Sequence, residues 1–337
     1  MSSATAPIVL LVTPYLADAN NGNWRTAARW AKLLSPANRP ILQAADAPVT
    51  GGARDLAVAM IALHARRSRA AIKTWKVTRP DRALIVVMTG TDLYRDVPAG
   101  NAEACRSLDD ADGLIVLQPD ALRHLPKSMR DKASVVYQSA RTLAPFPRKA
   151  LDRLHCLFVA HLRDEKDPRT VFDAWRRLPR EVPATLSIVG AALDPGLGDA
   201  ARALAADDPR VQVLGPRPHP WTRQAIKRAH LVIVSSRMEG GANVVVEAVT
   251  AGTPVIASRI SGNVGMLGDD YPGYFAVGEP AGLAARVERA SRDRAFLASL
   301  EAACRTRARR FTPEAERAAL AATVERTLAR AAGRITP

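Results

Sequence analysis

Short runs of aliphatic and β-branched residues recur along the whole chain, separated by stretches whose apolar positions keep helical spacing. In the first half the runs are IVLLVT (8–13), LAVAMIAL (56–63), LIVVMT (84–89), LIVLQ (114–118) and SVVYQ (134–138). In the second half they are CLFVA (156–160), TLSIVG (185–190), VQVLG (211–215), LVIVS (231–235) and PVIAS (254–258). Runs this short and apolar suit strands buried on both faces of a parallel sheet. The segments between them, such as WRTAARWAKLL (24–34) and PRTVFDAWRRL (168–178), are amphipathic. Strand and helix alternating twice over predict an α/β protein with two doubly wound, Rossmann-like domains. A chain of 337 residues is too long for one ordinary core and sufficient for two.

Two prolines interrupt the pattern in SARTLAPFPRKA (139–150). This predicts an N-terminal domain over 1–145 and a C-terminal domain over 146–312. Thr312, Pro313 and Glu314 read as a cap, a proline at the first helical position and an acidic first turn. A terminal helix over about 313–337 starts there and can pack back on the first domain. In open α/β sheets ligands sit beyond the carboxyl ends of the strands. Two such domains facing one another would turn their loops towards a shared cleft, so the residues just after each strand carry the functional information.

Composition narrows the partners. The formal charge is +15, from 48 basic and 33 acidic residues, but only eight of the basic residues are lysines. The arginines are spread along the chain without dense runs or aromatic interleaving, which argues against nucleic-acid binding and leaves small anionic substrates. No apolar run reaches the roughly 20 residues of a membrane span, so no stable membrane insertion is expected. The N-terminus lacks a basic segment and a cleavage site. The cysteines (Cys105, Cys156, Cys304) are odd in number and far apart, which suggests neither a disulfide framework nor a zinc site. A cytoplasmic enzyme is the expectation.

The most informative loop follows LVIVS. There Glu239, Gly240, Gly241, Ala242 and Asn243 lead into a helix that carries Glu247. Small residues let a ligand approach the backbone, and the free amides of a helix N-terminus favour a phosphate. Glu239 can accept from sugar hydroxyls and Glu247 from a ribose diol. Either glutamate alone would be explained as a turn residue or as a complement to the helix dipole. The two together with the diglycine and Asn243 favour a ligand.

EGGANVVVEA followed by AGTPVIAS resembles the donor-site signature of the family 4 glycosyltransferases, enzymes of the GT-B fold. The resemblance covers nearly the whole chain. It implies that Glu239 contacts a donor sugar, that Glu247 contacts the nucleotide ribose and that the backbone near Arg217, in VLGPRP (213–218), reads the base. HLRDEKDP (161–168) is similar to the family's donor-phosphate loop, with Lys166 on the pyrophosphate lysine. His161 stands where the family has arginine, and Arg163 follows two residues later. A cation is required there because the leaving nucleoside diphosphate gains charge as the glycosidic bond breaks. Lys166, Arg163 and Glu239 are thus the expected catalytic residues. No Asp-x-Asp element follows a strand, so no metal and no cofactor are expected beyond the substrates.

In the first domain VTPYLADANNGNWRTAARW (12–30) is similar to the family's glycine loop, offering Asn21, Gly22, Asn23 and Arg25 at a helix start. IALHARRS (61–68) ends a strand with His64, Arg66 and Arg67, and MTGTDLYRD (88–96) places Thr89 at the family's histidine position, with Asp92 following. With the SGNVGMLG run (261–268), these motifs resemble the selenosugar synthase branch found in selenoneine biosynthesis. That resemblance implies transfer of a sugar, N-acetylglucosamine, from UDP-N-acetylglucosamine to selenophosphate. A hydroxyl acceptor must lose a proton during attack, whereas selenophosphate carries an ionised selenium and needs cations and amide donors. Asn21, Gly22, Asn23, Arg25, His64, Arg66, Arg67, Thr89 and Asp92 are the expected acceptor-binding residues. A family 4 enzyme acting on a sugar or lipid hydroxyl, and a UDP-sugar 2-epimerase of the same fold, are the alternatives.

Overall fold

The computed structural model describes residues 6–16, 22–35, 37–144, 146 and 152–333. Contacts divide the chain into two units, Met1–Gln138 with Pro313–Pro337, and Ser139–Thr312. The first crossing, between Gln138 and Ser139, lies ahead of the boundary expected at 145.

The first unit holds β1 (Ile8–Thr13), β2 (Arg39–Ala44), β3 (Ala57–Leu63), β4 (Ala83–Val87), β5 (Gly113–Val116) and β6 (Ala133–Val135). They form one six-stranded parallel sheet in the order β2-β1-β3-β4-β5-β6. Helices α1 (Gly22–Leu34), α2 (Arg69–Thr78) and α3 (Ala102–Asp110) connect the strands. Alternate residues serve opposite faces, as strand geometry demands. Leu10, Met60, Leu84 and Leu114 pack with Trp75 on one face, while Leu11, Ile61, Ile85 and Ile115 pack with Trp30 on the other. Strand β2, RPILQA, is absent from the apolar runs read above. It lies at the sheet edge, half-buried, where a proline and a glutamine are tolerated.

The second unit holds β7 (Leu154–Val159), β8 (Ala184–Val189), β9 (Val211–Gly215), β10 (Leu231–Val234), β11 (Val255–Ser258) and the two-residue edge strand β12 (Tyr274–Phe275). Its parallel sheet runs β12-β11-β10-β7-β8-β9. Its helices are α4 (Pro168–Arg177), α5 (Pro195–Asp207), α6 (His219–Arg228), α7 (Asn243–Thr250), α8 (Ser261–Leu267), α9 (Pro280–Arg292) and α10 (Arg294–Ala308). Helix α11 (Pro313–Ala332) belongs to the first unit. There Leu320 and Val324 join the Trp30 core, and buried Glu316 accepts from Trp30 Nε1 and Arg29 Nε, both at 2.7 Å.

Strand order fixes where each sheet opens. In the first unit the winding reverses between β1 and β3, and in the second between β7 and β10. At such a reversal the flanking loops diverge to opposite faces and leave a crevice outside the carboxyl ends of the strands. No helix among the described residues is long and apolar enough to cross a membrane.

Candidate functional site

The crevice between β7 and β10 is where the second unit gathers its charged side chains. After β7 the chain makes a short turn over Asp164–Lys166 and enters α4 through Asp167, whose φ of 46° is left-handed. Such a conformation in a non-glycine residue must be held from outside. Asp167 Oδ2 accepts from Thr170 Oγ1 at 2.7 Å, and Oδ1 lies 3.3 Å from Arg237 Nη2. Two more bonds tie this turn to the loop after β10: Ser235 Oγ donates to the Lys166 carbonyl at 2.7 Å, and the Arg237 amide to the Glu165 carbonyl at 2.9 Å. The turn is thereby fixed, and Lys166 Nζ reaches Glu239 Oε1 at 2.5 Å. Ser236 Oγ donates to the same oxygen at 2.7 Å.

Arg163 is half-exposed, with its Nε 3.7 Å from the Glu165 carboxylate. His161 Nδ1 accepts the Ala191 amide at 3.2 Å, which fixes its ring against the strand-end backbone after β8.

Glu247 sits a turn into α7, buried, with Oε1 2.7 Å from His219 Nε2. Arg223 donates to the Glu247 carbonyl at 2.5 Å and to the Arg141 carbonyl at 2.7 Å. Burial lowers the pKa of this guanidinium below its ordinary value, against the pull of Glu247. Arg217, after β9, lies over the Trp221 ring at 5.4 Å from its centroid. Gly240, Gly241, Ala242 and Asn243 form the entry to α7, as expected, but the Ala242 amide donates to Met266 Sδ at 3.2 Å. His219, Arg223 and Ser236 are not among the candidate residues read from the sequence, and Met266 enters there only within the 261–268 run. The only sequence signal for His219 is its place two residues beyond Arg217.

The first unit's expected residues also collect at the ends of β1, β3 and β4, with a different outcome. Asn21 lies outside the described residues. Gly22, Asn23 and Arg25 form the first turn of α1, where Thr26 Oγ1 donates to the Gly22 carbonyl. Arg67 bridges the β1 and β3 loops by donating to Tyr15 Oη at 2.6 Å. Arg66 is held by Asp96 at 2.8 Å, and that hydrogen bond raises its pKa above the ordinary guanidinium value despite desolvation.

Asp92, expected among the acceptor-binding residues, is engaged by its own loop. It is fully buried at the start of a single π-helical turn, Asp92–Asp96. Its oxygens accept from the amides of Ala65, Arg66 and Thr89 and from the Thr89 hydroxyl, so both Asp92 and Thr89 are committed to shaping the loop. His64, buried and left-handed at φ 72°, places Nδ1 2.5 Å from Asp92 Oδ1 and Nε2 3.0 Å from the Thr91 hydroxyl. Since Asp92 otherwise meets only donors, Nδ1 donates to it, and Nε2 is left facing the Thr91 hydroxyl. The Arg67 amide approaches Nδ1 only at 3.4 Å, too long to compete. His64, Asp92 and Asp96 are close enough to ligate a cation. However, Asp96 also accepts from Arg66 and Arg95, so this carboxylate set is already matched by donors.

A family model described as glycosyl transferases group 1 matches residues 141–311. The chain belongs to this family. The matched region of this group 1 glycosyltransferase contains Arg163, Lys166, Glu239 and Glu247, whereas His64 and Asp92 lie before it. Solved structures share the fold across almost the whole chain. Anabaena HepE in complex with UDP-glucose superimposes with a TM-score of 0.74 at 14% identity, covering 95% of this chain and 99% of that one. Sucrose-phosphate synthase from Thermosynechococcus elongatus gives 0.77 at 16%, covering 96% and 99%. The pneumococcal O-GlcNAc transferase GtfA, solved with UDP and GlcNAc, gives 0.63 at 18%, covering 80% of this chain and 57% of that one. The two six-stranded parallel units are therefore the GT-B architecture of glycosyltransferases.

Proposed function

We propose that this group 1 glycosyltransferase transfers a sugar, N-acetylglucosamine, from its UDP derivative to selenophosphate and so forms a carbon–selenium bond. The observation that carries the donor half is the meeting of Lys166 with Glu239 at the β7–β10 crevice, with Glu247 on the adjoining helix. UDP and UDP-glucose in the HepE structures support a UDP donor. In this reading Glu247 accepts from the ribose diol, Glu239 from the sugar hydroxyls, and the Arg217 loop meets the base. Gly240, Gly241 and the amides of Ala242 and Asn243 border the pyrophosphate. Between the two candidates for the family arginine, Arg163 is favoured, because the His161 ring is fixed on the Ala191 amide.

Selenium's lone pair forms the bond to the anomeric carbon while the bond from that carbon to the diphosphate oxygen breaks. The electron pair departs with UDP, and Lys166 and Arg163 stabilise the added charge in place of a metal. The acceptor's charge is met by Arg25, Arg67 and the amides of Gly22 and Asn23. Selenium chemistry of this kind belongs in the reducing cytoplasm.

Incubation with selenophosphate and a panel of UDP-sugars, followed by mass spectrometry, tests the reading. UDP release with a selenium-containing sugar product is expected, undiminished by EDTA. Absence of that product beside turnover with hydroxyl acceptors would reject it. One observation favours that second reading, in which the acceptor is a hydroxyl. Asp92, His64 and the part-buried Thr91 form a chain of hydrogen bonds able to take a proton. His64→Gln should leave selenophosphate turnover intact, whereas a hydroxyl acceptor should lose about 100-fold or more.

A further inference from the structure

We infer that α8 is the positioning element for the donor sugar and that Gly262 and Met266 act through Glu239 and Ala242; the inference rests on the reading of Glu239 as the sugar ligand. A Cβ built on Gly262 would overlap the Glu239 carbonyl oxygen and stand 2.9 Å from the Glu239 Cβ. The φ of Gly262 is not in the left-handed region, so lack of space and not backbone freedom demands glycine here. One turn further, Met266 Sδ accepts the Ala242 amide at the mouth of α7, with both residues buried. The same short helix therefore sets the backbone of the carboxylate and the amide of the residue that caps the phosphate-facing helix.

The helix is itself well anchored. Asn263 Nδ2 donates to the Ser258 carbonyl at 2.9 Å, and Tyr274 Oη donates to the carbonyls of Asn263 and Gly268 at 3.2 and 2.8 Å. Strands β11 and β12 thus hold α8 from below, and α8 holds the Glu239 loop. The choice of sulfur has a consequence. A thioether is a weak, uncharged acceptor, so it orients the Ala242 amide without cancelling the positive end of α7. An anionic oxygen makes the stronger bond and displaces it. Glu247 takes no part in these contacts, so the device serves the sugar–phosphate half of the donor and not the nucleoside half.

The test separates those halves by titrating the full-length protein with UDP and with UDP-N-acetylglucosamine. Gly262→Ala should weaken the UDP-sugar at least tenfold while UDP stays within about twofold, and its effect on that ratio should vanish in a Glu239→Ala background. Met266→Leu keeps the volume but removes the acceptor, and should cut the preference for UDP-sugar over UDP severalfold. Met266→Gln restores an acceptor and should recover it. Equal effects on both ligands, or persistence of the Gly262→Ala effect without Glu239, overturn the inference. If Gly262→Ala does not fold, the Met266 pair decides, and identical behaviour of Leu and Gln overturns it. Failure of the wild-type protein to bind UDP at all would instead count against the proposed donor.

Discussion

At the ends of β3 and β4 Asp92 is sealed from solvent and accepts from main-chain amides, whereas at the β7–β10 crevice Glu239 and Glu247 accept from the tips of Lys166, Ser236 and His219. Both regions bring carboxylates to the carboxyl edge of a parallel sheet. They differ in what the carboxylates are bonded to. A main-chain amide cannot swing away without unfolding the loop, so Asp92 is a permanent part of its turn. An ammonium, a hydroxyl or an imidazole on a side chain can change partner by rotation, which allows ligand hydroxyls to take its place. The nature of the partner therefore separates scaffold from site better than burial does, since Glu239 and Glu247 are themselves only 9% and 8% exposed.

The largest expected effect breaks the scaffold side. Asp92→Ala strands the buried amide of Ala65, the part-buried amide of Thr89 and the His64 ring, and should destabilise the first unit by about 3–5 kcal/mol. Urea unfolding followed through Trp30 and Trp75, both in that unit, would read the loss. UDP binding should survive wherever the second unit remains folded. A stable Asp92→Ala protein with a lost acceptor site would reverse the assignment and make Asp92 a ligand after all.

On the exchangeable side the effect should fall on binding and not on folding. Glu247→Ala should cost UDP about 1.5–3 kcal/mol, roughly 10- to 150-fold in affinity by calorimetry. Glu239→Ala should weaken the UDP-sugar more than UDP itself. Unchanged UDP affinity in Glu247→Ala would sink this half of the comparison. A smaller change is expected from Arg67→Ala, which loses an exposed bridge to Tyr15. Acceptor KM should rise severalfold with UDP affinity constant and stability within about 0.5 kcal/mol.

The smallest effect sharpens the contrast through pH. Desolvation opposes ionisation of Asp96, but the hydrogen bonds from Arg66 and Arg95 outweigh it and hold the carboxyl below its ordinary 3.8. The folded state therefore binds this proton less readily than the unfolded chain. The stabilisation is complete above pH 3.8 and is lost as pH falls through the lower folded value. Urea midpoints measured downward from pH 5 should show a steeper acid loss in the wild type than in Asp96→Asn. Parallel curves would mean that the Arg66–Asp96 pair contributes nothing to the fold.

Much of this architecture was legible because buried parallel strands leave an unmistakable apolar run. Runs such as LIVVMT and LVIVS coincide with β4 and β10, and the loops they precede carry the gathered charges. Strand β2 escaped because an edge strand is covered on fewer sides and keeps polar residues such as Gln43. The donor motif could be read because its residues share one strand–turn–helix. His219 and Arg223 could not, since their contacts with α7 span 28 and 24 residues and depend on how α6 packs. The hydrogen bonds between Asp92 and Thr89 were not legible either, for a related reason. A strand-end aspartate looks the same in sequence whether it faces a ligand or its own loop.

The return of α11 to the first unit has a consequence for how the protein is made. Leu320, Val324 and Glu316 complete the core around Trp30, yet they leave the ribosome after the whole of Ser139–Thr312. At ordinary elongation speeds the sheet of the first unit waits on the order of ten seconds or more with one face covered by α1 but not yet by α11. The second unit is continuous in sequence and has no such wait. Although it is encoded after the first unit's sheet, it is able to reach its native state first, and the sheet made earlier is the one completed later.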